Sequence, residues 1–389
     1  MQYDFDKLVP RRGTNAVKWD ATPPAGDGKD IIPLWVADMD FQVAPCILEA
    51  LHKRVDHGIF GYTIVPDSYY EAVVRWFGRR HGWHIEKEWI QYTTAVVPAL
   101  SAVIKALTEP GDKVVIQTPV YNCFFSSIRN NGCTALDAPL LEDGNTYRFD
   151  YEALDKACAD PKAKILLLCN PHNPAGRVWT PEELARVGAI ARKHGIAVVS
   201  DEIHCEIVMP GFKFTPYASV EGNQPGSVTL GSPSKSFNTA GLQIANIICD
   251  DSAIREKIDR AININEICDV NPFGPVALEA AYSEEGEAWL NEMNAYVAAN
   301  YQYLLDHITE GFKVFRLEGT YLAWVDARSL GIPSQKLEDN LLEHEKVWVN
   351  AGAMYGTEGF FRVNLACPRS LLAEGLKRLD NGLKRLKNQ

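Results

Sequence analysis

Between about residue 40 and residue 260, short runs of apolar residues alternate with longer amphipathic stretches. The apolar runs have the length of buried strands and are bounded by residues that favour turns. They predict five strands: Lys113–Thr118, Lys164–Cys169, Ala197–Ser200, Val228–Gly231 and Ile244–Cys249. Thr180–His194 predicts a helix, with Thr180 as N-cap and Pro181 in the first helical position. This alternation predicts an α/β fold with a mostly parallel sheet that is covered by helices on both faces.

The two ends of the chain do not follow this alternation. The first ~35 residues are rich in Pro, Gly and Asp, so we expect an arm that lies over another part of the fold. The C-terminal part begins with a helical pattern over Val276–Tyr303. The pattern of Ser370–Lys387 predicts a final amphipathic helix. We therefore expect an arm over residues 1–40 that packs with the small domain, a large domain over 41–275 and a smaller α/β domain over 276–389.

Composition and charge argue against several classes of protein. The 389 residues include 39 Lys and Arg against 50 Asp and Glu, and the formal net charge of −11 disfavours nucleic acid or an anionic membrane as a partner. No segment reaches the ~20 apolar residues of a membrane span, and the N-terminus lacks the apolar stretch of a signal peptide. We therefore expect a cytoplasmic protein. The nine cysteines are scattered singly, which predicts reduced, mostly buried thiols and no metal site.

A lysine within a run of small and polar residues is the first candidate for chemistry. Lys235 lies in Gly231-Ser-Pro-Ser-Lys-Ser-Phe-Asn238, directly after a predicted strand. Partial desolvation there would lower the pKa of the amine and favour the neutral form that attacks an aldehyde. The hydroxyl groups of Ser232 and Ser234 suit a nearby phosphate. Such a cluster is, by itself, more often a solvated turn.

Polar side chains also follow two other predicted strands. Asp201 and His204 lie in Ser200–His204, and Asn173 lies in Asn170–Gly176. Open α/β sheets bind ligands at the carboxyl ends of their strands. Asp201 could pair with the protonated nitrogen of a pyridine cofactor, and the Asn173 amide could donate to a phenolate oxygen of the same ring. A cap at Asp201 and a plain turn at Asn173 are the alternatives.

The beginning of a helix supplies a candidate anion site. Tyr92–Pro98 leads into an apolar helix over Ala99–Leu107. The backbone amides of Ala95, Val96 and Val97 lie at this N-terminus, where unpaired N–H groups can bind a phosphate. Many helices begin in this way without a ligand, so this interpretation depends on agreement with the other segments.

Taken together, these segments resemble a known family. Asn170–Gly176, Ser200–His204 and Ser232–Gln243 have the order and spacing of fold type I enzymes, which are related to aspartate aminotransferase and use pyridoxal 5′-phosphate (PLP). The finer pattern is similar to the MalY/PatB group of cystathionine β-lyases, also called cysteine-S-conjugate β-lyases. The other stretches that carry the similarity are Arg12–Thr14, Lys18–Asp20, Pro33–Phe41, Gly61–Thr63, Pro119–Tyr121 and Phe361–Arg369. The resemblance implies a seven-stranded sheet in the large domain.

The resemblance also implies roles around the cofactor ring. Lys235 would form the Schiff base and carry protons. Asp201 would pair with the pyridine nitrogen, and Asn173 would bond the ring hydroxyl. His204 stands where related enzymes have a tyrosine that touches this hydroxyl. Tyr121, the second catalytic residue, would stack on the ring.

The phosphate and the dimer form a second group of implied roles. The amides of Val96 and Val97 and the hydroxyl of Ser232 would hold the phosphate. Tyr62 would reach the phosphate from the partner subunit, which implies a homodimer. Many relatives have a glycine where this chain has Ala95, so we expect an altered loop geometry that keeps the phosphate site.

Four further residues would meet the substrate. The resemblance assigns Arg362 to the substrate α-carboxylate, a task suited to a planar guanidinium that binds both oxygens. Trp35, Ala37 and Asp38 would face the remainder of the substrate.

The activity implied by the resemblance is α,β-elimination. It would cleave cystathionine or a related cysteine S-conjugate to a thiol, pyruvate and ammonia. An aminotransferase shares every step up to removal of the Cα proton, and sequence patterns separate the two poorly. A PLP-fold protein with a regulatory binding role is the alternative from another class, although the complete set of Lys235, Asp201, Asn173 and Arg362 argues against an inactive enzyme.

Overall fold

A seven-stranded sheet forms the centre of the larger part of the molecule. The computed structural model describes residues 2–266, 269–308 and 311–387. The strands, in spatial order, are Ile90–Thr93, Ala245–Ile248, Val228–Gly231, Ala197–Asp201, Ala163–Cys169, Lys113–Ile116 and Thr134–Asp137. Neighbouring strands are parallel except at Ala245–Ile248, which is antiparallel to both of its neighbours. The predicted fold class is therefore confirmed.

The five strands predicted from apolar runs are all present, and the two edge strands were missed. The central strands are buried on both faces: Leu166 and Leu168 pack into one hydrophobic cluster, and Ile165 and Leu167 pack into the cluster on the other face. Such strands appear in the sequence as continuous apolar runs. The edge strand Thr134–Asp137 is more exposed, and its mixed composition gives no such signal.

Helices cover both faces of this sheet. The helices in this part of the chain are Pro45–Asp56, Asp67–His81, Val96–Leu107, Asn122–Asn130, Tyr151–Cys158, Pro181–His194 and Ser252–Asn263, and the first of them packs on other helices. The helix Pro181–His194 was predicted correctly because its ends carry strong local signals. The Glu183 amide donates to Thr180 Oγ1 at 3.2 Å, and the Thr180 amide donates to Glu183 Oε2 at 2.9 Å. Gly195, with φ of 66°, ends the helix in the left-handed conformation that glycine tolerates.

A second, antiparallel sheet lies in the C-terminal part of the chain. Its strands, in spatial order, are Lys313–Val314, Leu322–Asp326, Phe360–Asn364 and Asn350–Ala351. The helices of this part are Gly274–Ala281, Glu284–His307, Ser334–Asn340 and Arg369–Lys387. The helical pattern over Val276–Tyr303 is thus divided between two helices. Ser283 caps the second, and a Cβ at Gly286 would lie 2.1 Å from the Ala281 carbonyl oxygen, so the close join requires glycine.

The N-terminal segment packs against this C-terminal part. Ile32–Pro33 pairs in parallel with Val347–Trp348, and the Trp35 ring stacks on Trp348 with centroids 4.0 Å apart. The boundaries at residues 40 and 275 stay a prediction. None of the helices in the described ranges combines the length and the apolar character needed to cross a membrane. The cytoplasmic location likewise stays a prediction.

Candidate active site

A cavity of about 140 Å³ lies at the carboxyl ends of the central parallel strands. Segments far apart in sequence meet there because parallel strands end at the same edge of the sheet. The sequence-predicted residues that line it are Ala37, Val96, Val97, Tyr121, Asn173, Asp201, His204, Ser232, Ser234 and Lys235. The remaining four, Trp35, Asp38, Tyr62 and Arg362, do not line it directly.

Lys235 lies in the irregular segment after the strand Val228–Gly231. Its Nζ donates a hydrogen bond to the Ala37 carbonyl oxygen at 2.6 Å. Burial, reinforced by the Arg362 cation, lowers the pKa of the amine from 10.5 to about 8, although the carboxylates of Asp38 and Asp201 act in the opposite direction. A useful fraction of the amine is therefore neutral near pH 7.5, as a nucleophile or general base requires.

Asp201 is the last residue of the strand Ala197–Asp201, and its side chain is buried. Burial raises the pKa of the carboxyl from 3.8 to about 6, against the opposing effects of the Ile203 amide and the Lys235 charge. The Ile203 amide donates to Oδ1 at 3.2 Å. A buried carboxylate with so little compensation favours a cationic group in the cavity beside it.

His204 and Tyr121 contribute two uncharged rings to the cavity wall. His204 is buried, and its Nδ1 has no hydrogen-bond partner among the described residues. Burial holds the pKa of its imidazole well below 6.5, so the ring is neutral. Tyr121 precedes the helix Asn122–Asn130, and burial raises the pKa of its phenol. Both side chains can donate to or accept from a ligand without adding charge.

Asn173 and Arg362 form a buried pair that joins the two sheets. Arg362 Nη1 donates to Asn173 Oδ1 at 3.1 Å, and Nη2 donates to the Trp35 carbonyl oxygen at 2.9 Å. The Asn173 amide N–H groups remain as donors. Within the described ranges the guanidinium has no carboxylate partner, and its Nε is buried without a hydrogen bond. A buried cation of this kind can bind the carboxylate of a ligand.

The predicted phosphate end of the cavity is built mainly from backbone. The helix Val96–Leu107 begins there after Ala95, whose φ of −167° is extended backbone that any residue adopts. Alanine therefore fits in place of glycine. Ser232 Oγ donates to the Ile244 carbonyl oxygen at 2.7 Å and accepts from the Ser234 amide at 3.1 Å. The roles of both serines stay predictions.

Of the four predicted residues that do not line the cavity, Asp38 is held in ion pairs and Tyr62 lies on the surface. The Asp38 carboxylate lies 2.7 Å from Arg11 Nη2 and 3.6 Å from Lys18 Nζ, so the ion pairs of the arm engage it. Tyr62 is 99% exposed on the surface of this chain. Sequence reasoning also missed Tyr321, whose hydroxyl shares the Ala37 carbonyl oxygen with Lys235 at 2.9 Å. No local pattern marks it, because it directly precedes the strand Leu322–Asp326 of the second sheet and reaches the site only through the tertiary fold.

Three possible metal ligands meet elsewhere, although their spacing in the sequence gave no signal. Ligand atoms of His81, Cys205 and Glu206 lie within 4.8 Å of one another. The Glu206 carboxylate already accepts from Trp76 Nε1 at 2.7 Å and from Arg80 Nε at 2.9 Å. These hydrogen bonds and the ion pair with Arg80 compensate the buried Glu206 carboxylate without a metal ion. The absence of a metal site stays a prediction.

The residues on the cavity fit PLP. The poorly compensated Asp201 carboxylate suits a protonated pyridine nitrogen, and the amine of Lys235 suits an aldehyde. His204 Nδ1 and the Asn173 amide can bond the ring oxygen, while the helix N-terminus at Val96 suits a phosphate.

Comparisons with known proteins give the same assignment. Residues 29–379 match the family of class I and II aminotransferases. The chain is similar to cystathionine β-lyase PatB of Bacillus subtilis (strain 168), with 41% identity over 386 residues that cover 98% of this chain and 100% of the relative. Protein MalY of Escherichia coli (strain K12) is 35% identical, with 98% of this chain and 99% of the relative covered.

Among solved structures, the fold is similar to cystalysin from Treponema denticola, which contains a PLP cofactor. The TM-score is 0.94 at 35% identity, and the match covers 99% of this chain and 100% of that chain. The predicted similarity to the MalY/PatB group is confirmed. This chain belongs to the class I and II aminotransferase family and has its fold type I architecture.

Proposed function

We propose that this chain is a PLP-dependent carbon–sulfur β-lyase. It would cleave cystathionine or a related cysteine S-conjugate to a thiol, pyruvate and ammonia. The observation that carries the proposal is the placement of the Lys235 amine and the buried Asp201 carboxylate on one cavity. The nearly full-length similarity to cystathionine β-lyase PatB supports the substrate class.

Several polar groups on the cavity have a task in this proposal. PLP, when bound, supplies a pyridine ring that accepts the electrons of a substrate carbanion. Asp201 would keep a proton on the ring nitrogen, and that cation would in turn stabilise the ionised carboxylate. Asn173 would donate to the ring oxygen, Tyr121 would cover one face of the ring, and the amides of Val96 and Val97 would hold the phosphate.

Lys235 and Arg362 would act on the substrate itself. Arg362 would bind the α-carboxylate through its fork of N–H donors, which fixes the direction of the Cα–H bond. The neutral Lys235 amine would take the Cα proton, and the pair of electrons left behind would expel the sulfur from Cβ. The hydrogen bond from Lys235 Nζ to the Ala37 carbonyl at 2.6 Å restricts where the amine can reach.

Pyruvate release in the absence of a keto acid separates the lyase from an aminotransferase. We expect the PLP-loaded protein, incubated with cystathionine alone, to release many equivalents of pyruvate and thiol per active site. An aminotransferase would instead convert one equivalent of cystathionine to its keto acid, with the carbon–sulfur bond intact, and would then stop because its cofactor must be regenerated by a keto acid. Adding a keto acid serves as the control and should leave the rate unchanged. Conversion of the cofactor in a single equivalent, without release of pyruvate and thiol, would reject the lyase.

We also propose that the chain acts as a homodimer. Ile59, Phe60, Tyr62 and Ile64 are exposed large hydrophobic residues within six positions of the sequence. An exposed apolar group of this size supports an interface between proteins. The similarity to the MalY/PatB group would place Tyr62 of one subunit at the phosphate of the other.

Tyr62→Phe should weaken PLP binding without breaking the dimer. The variant keeps the ring but loses one hydrogen bond to a charged phosphate, so we expect the Kd for PLP to rise roughly 10-fold. Tyr303→Phe, on the helix Glu284–His307, is the control and should leave the Kd unchanged. Light scattering should give about twice the 43.3 kDa chain mass for all three proteins. A fully active monomer would contradict the proposal.

A further inference from the structure

Four charged side chains form a cluster where the N-terminal segment passes the cavity. Lys18 Nζ lies 2.7 Å from Asp40 Oδ2 and 3.6 Å from Asp38 Oδ1. Arg11 completes the cluster with contacts of 2.7 Å to Asp38 and 2.8 Å to Asp40. Two positive and two negative charges therefore balance one another. Trp19, from the same motif as Lys18, donates to Asp40 Oδ1 at 2.8 Å.

Stability alone is a poor explanation for this cluster. The Lys18 side chain is 0% exposed and that of Asp40 is 4% exposed, so both charges have lost their water. Replacing a buried ion pair by apolar side chains is often neutral or stabilising. Retaining charges at this depth points to a task beside the cavity.

The cluster holds the backbone that contacts Lys235. Lys18 Nζ donates to the backbone carbonyl of Asp38 at 3.2 Å, and Arg11 Nη1 donates to the backbone carbonyl of Met39 at 3.0 Å. The Trp35 carbonyl is held by Arg362 on the other side. Between these held carbonyls, the Ala37 carbonyl accepts a hydrogen bond from Lys235 Nζ at 2.6 Å.

Asn364, in the second sheet, fixes the same segment from another side. Its Nδ2 donates to the carbonyls of Val36 and Asp38, each at 2.6 Å. The carbonyls on either side of Ala37 are therefore bound to protein groups, and the carbonyl of Ala37 is the one that meets the catalytic amine.

One carboxylate of the cluster, Asp38, acts electrostatically on Lys235. The charged and titratable groups that face its amine are Asp38, Asp201, Arg362, Cys123 and His204. Of the carboxylates, Asp38 has the larger effect in raising the pKa of Lys235. Without Arg11 and Lys18, Asp38 and Asp40 would be two uncompensated negative charges on this side of the amine.

We propose that Arg11, Lys18, Asp38 and Asp40 form a positioning cluster for Lys235, which holds the Ala37 carbonyl against the amine and neutralises the negative charge of Asp38. This gives the Lys18-Trp-Asp20 motif a function: it connects the N-terminal arm to the catalytic amine. The inference rests on the proposed role of Lys235.

Variants that remove the charge of Lys18 or of Asp40 test the proposal, because they should shift the pKa of Lys235 in opposite directions. Lys18→Met leaves an excess negative charge, which stabilises the Lys235 ammonium and should raise its pKa by at least ~0.5 unit. Asp40→Asn leaves an excess positive charge and should lower the pKa by a similar amount. The double variant restores neutrality and should return close to the wild-type value. Loosened packing alone would move both single variants in the same direction.

The measurement reads the amine itself and needs no catalysis. Full-length protein freed of PLP is acetylated with limiting acetic anhydride across a pH series, and mass spectrometry follows the peptide that contains Lys235. Lys193→Met, which removes an exposed partner of Asp155, is the control and should leave the curve unchanged. Should Lys18→Met fail to fold, Arg11→Gln, at a less buried position, should also raise the pKa.

The outcomes separate this inference from the proposed activity. Shifts of opposite sign at Lys18 and Asp40 support the cluster, even if no thiol is released from cystathionine. The proposal would be overturned if both single variants moved the pKa of Lys235 in the same direction, or if neither moved it, even if the protein proves to be a lyase.

Discussion

Lys235→Ala is expected to lower kcat for pyruvate release by at least ~10³-fold, because a positioned general base contributes roughly 10²–10⁴-fold and covalent attachment of the cofactor is lost as well. The amine has its pKa lowered to about 8 and is held by the Ala37 carbonyl at 2.6 Å. No other lysine lines the cavity as the structure describes it. Steady-state assays with cystathionine measure the loss directly.

Two controls identify the cause of that loss. Lys193→Ala removes an exposed lysine and should keep the wild-type kcat. Adding a small primary amine to Lys235→Ala should recover part of the activity, because the diffusing amine replaces the missing base. A Lys235→Ala variant that keeps more than a tenth of the wild-type kcat would contradict the assignment.

Asp201→Asn is expected to have opposite effects on activity and on stability. An amide cannot hold a proton on the ring nitrogen, so we expect kcat/KM to fall on the order of 10²-fold or more. In the PLP-free protein the same change should be stabilising at pH 7.5, because it removes a carboxylate that is ionised and buried without a cation in contact. Chemical unfolding at several pH values measures the second effect.

The pH dependence of that stabilisation follows from the raised pKa. The Asp201 carboxyl has a pKa of 3.8 as its ordinary value and about 6 in the folded chain. Between these two pH values the Asp201 carboxyl is ionised in the unfolded chain but still protonated in the folded chain. Rising pH therefore lowers the free energy of unfolding of the wild-type protein. The free energy of unfolding of Asp201→Asn, relative to wild type, should therefore grow by about 2 kcal/mol between pH 4 and pH 7.5. Saturation with PLP should remove or reverse the difference.

Glu202 supplies the matched comparison for this prediction. Its carboxyl is also buried, but Ser200 Oγ, the Tyr217 amide and the Asn170 amide all donate to Oε1. Burial raises its pKa to about 8, so the group is largely protonated at pH 7.5. By the same linkage, the free energy of unfolding of Glu202→Gln relative to wild type should also grow between pH 4 and pH 7.5, but saturation with PLP should leave this growth unchanged, because Glu202 does not line the cavity as the structure describes it. A difference for Asp201→Asn that does not depend on pH would show that charge is not the cause.

Local patterns in the sequence predicted the central strands, several helices and part of the cavity, and the resemblance to a family added Ala37, Tyr121 and His204. Continuous apolar runs such as Lys164–Cys169 require burial on both faces, and Thr180 with Glu183 satisfies the first amides of its helix from side chains only three positions apart. Because parallel strands end at one edge, polar residues that directly follow them are brought together whatever the distance between them in the chain. Asp201, Asn173 and Lys235 meet for this reason.

Only the tertiary structure decided which partner each charged side chain takes. The Arg362 bond to Asn173 spans 189 positions, and Asp38 turns to Arg11 and Lys18 instead of lining the cavity. The division of the helical pattern at Tyr282 and the contact of Tyr321 with Ala37 likewise depend on close packing between distant segments. Hydrophobic periodicity and caps act over a few residues and can be read locally. Ion pairs and shared acceptors depend on which surfaces meet, and no local pattern records that.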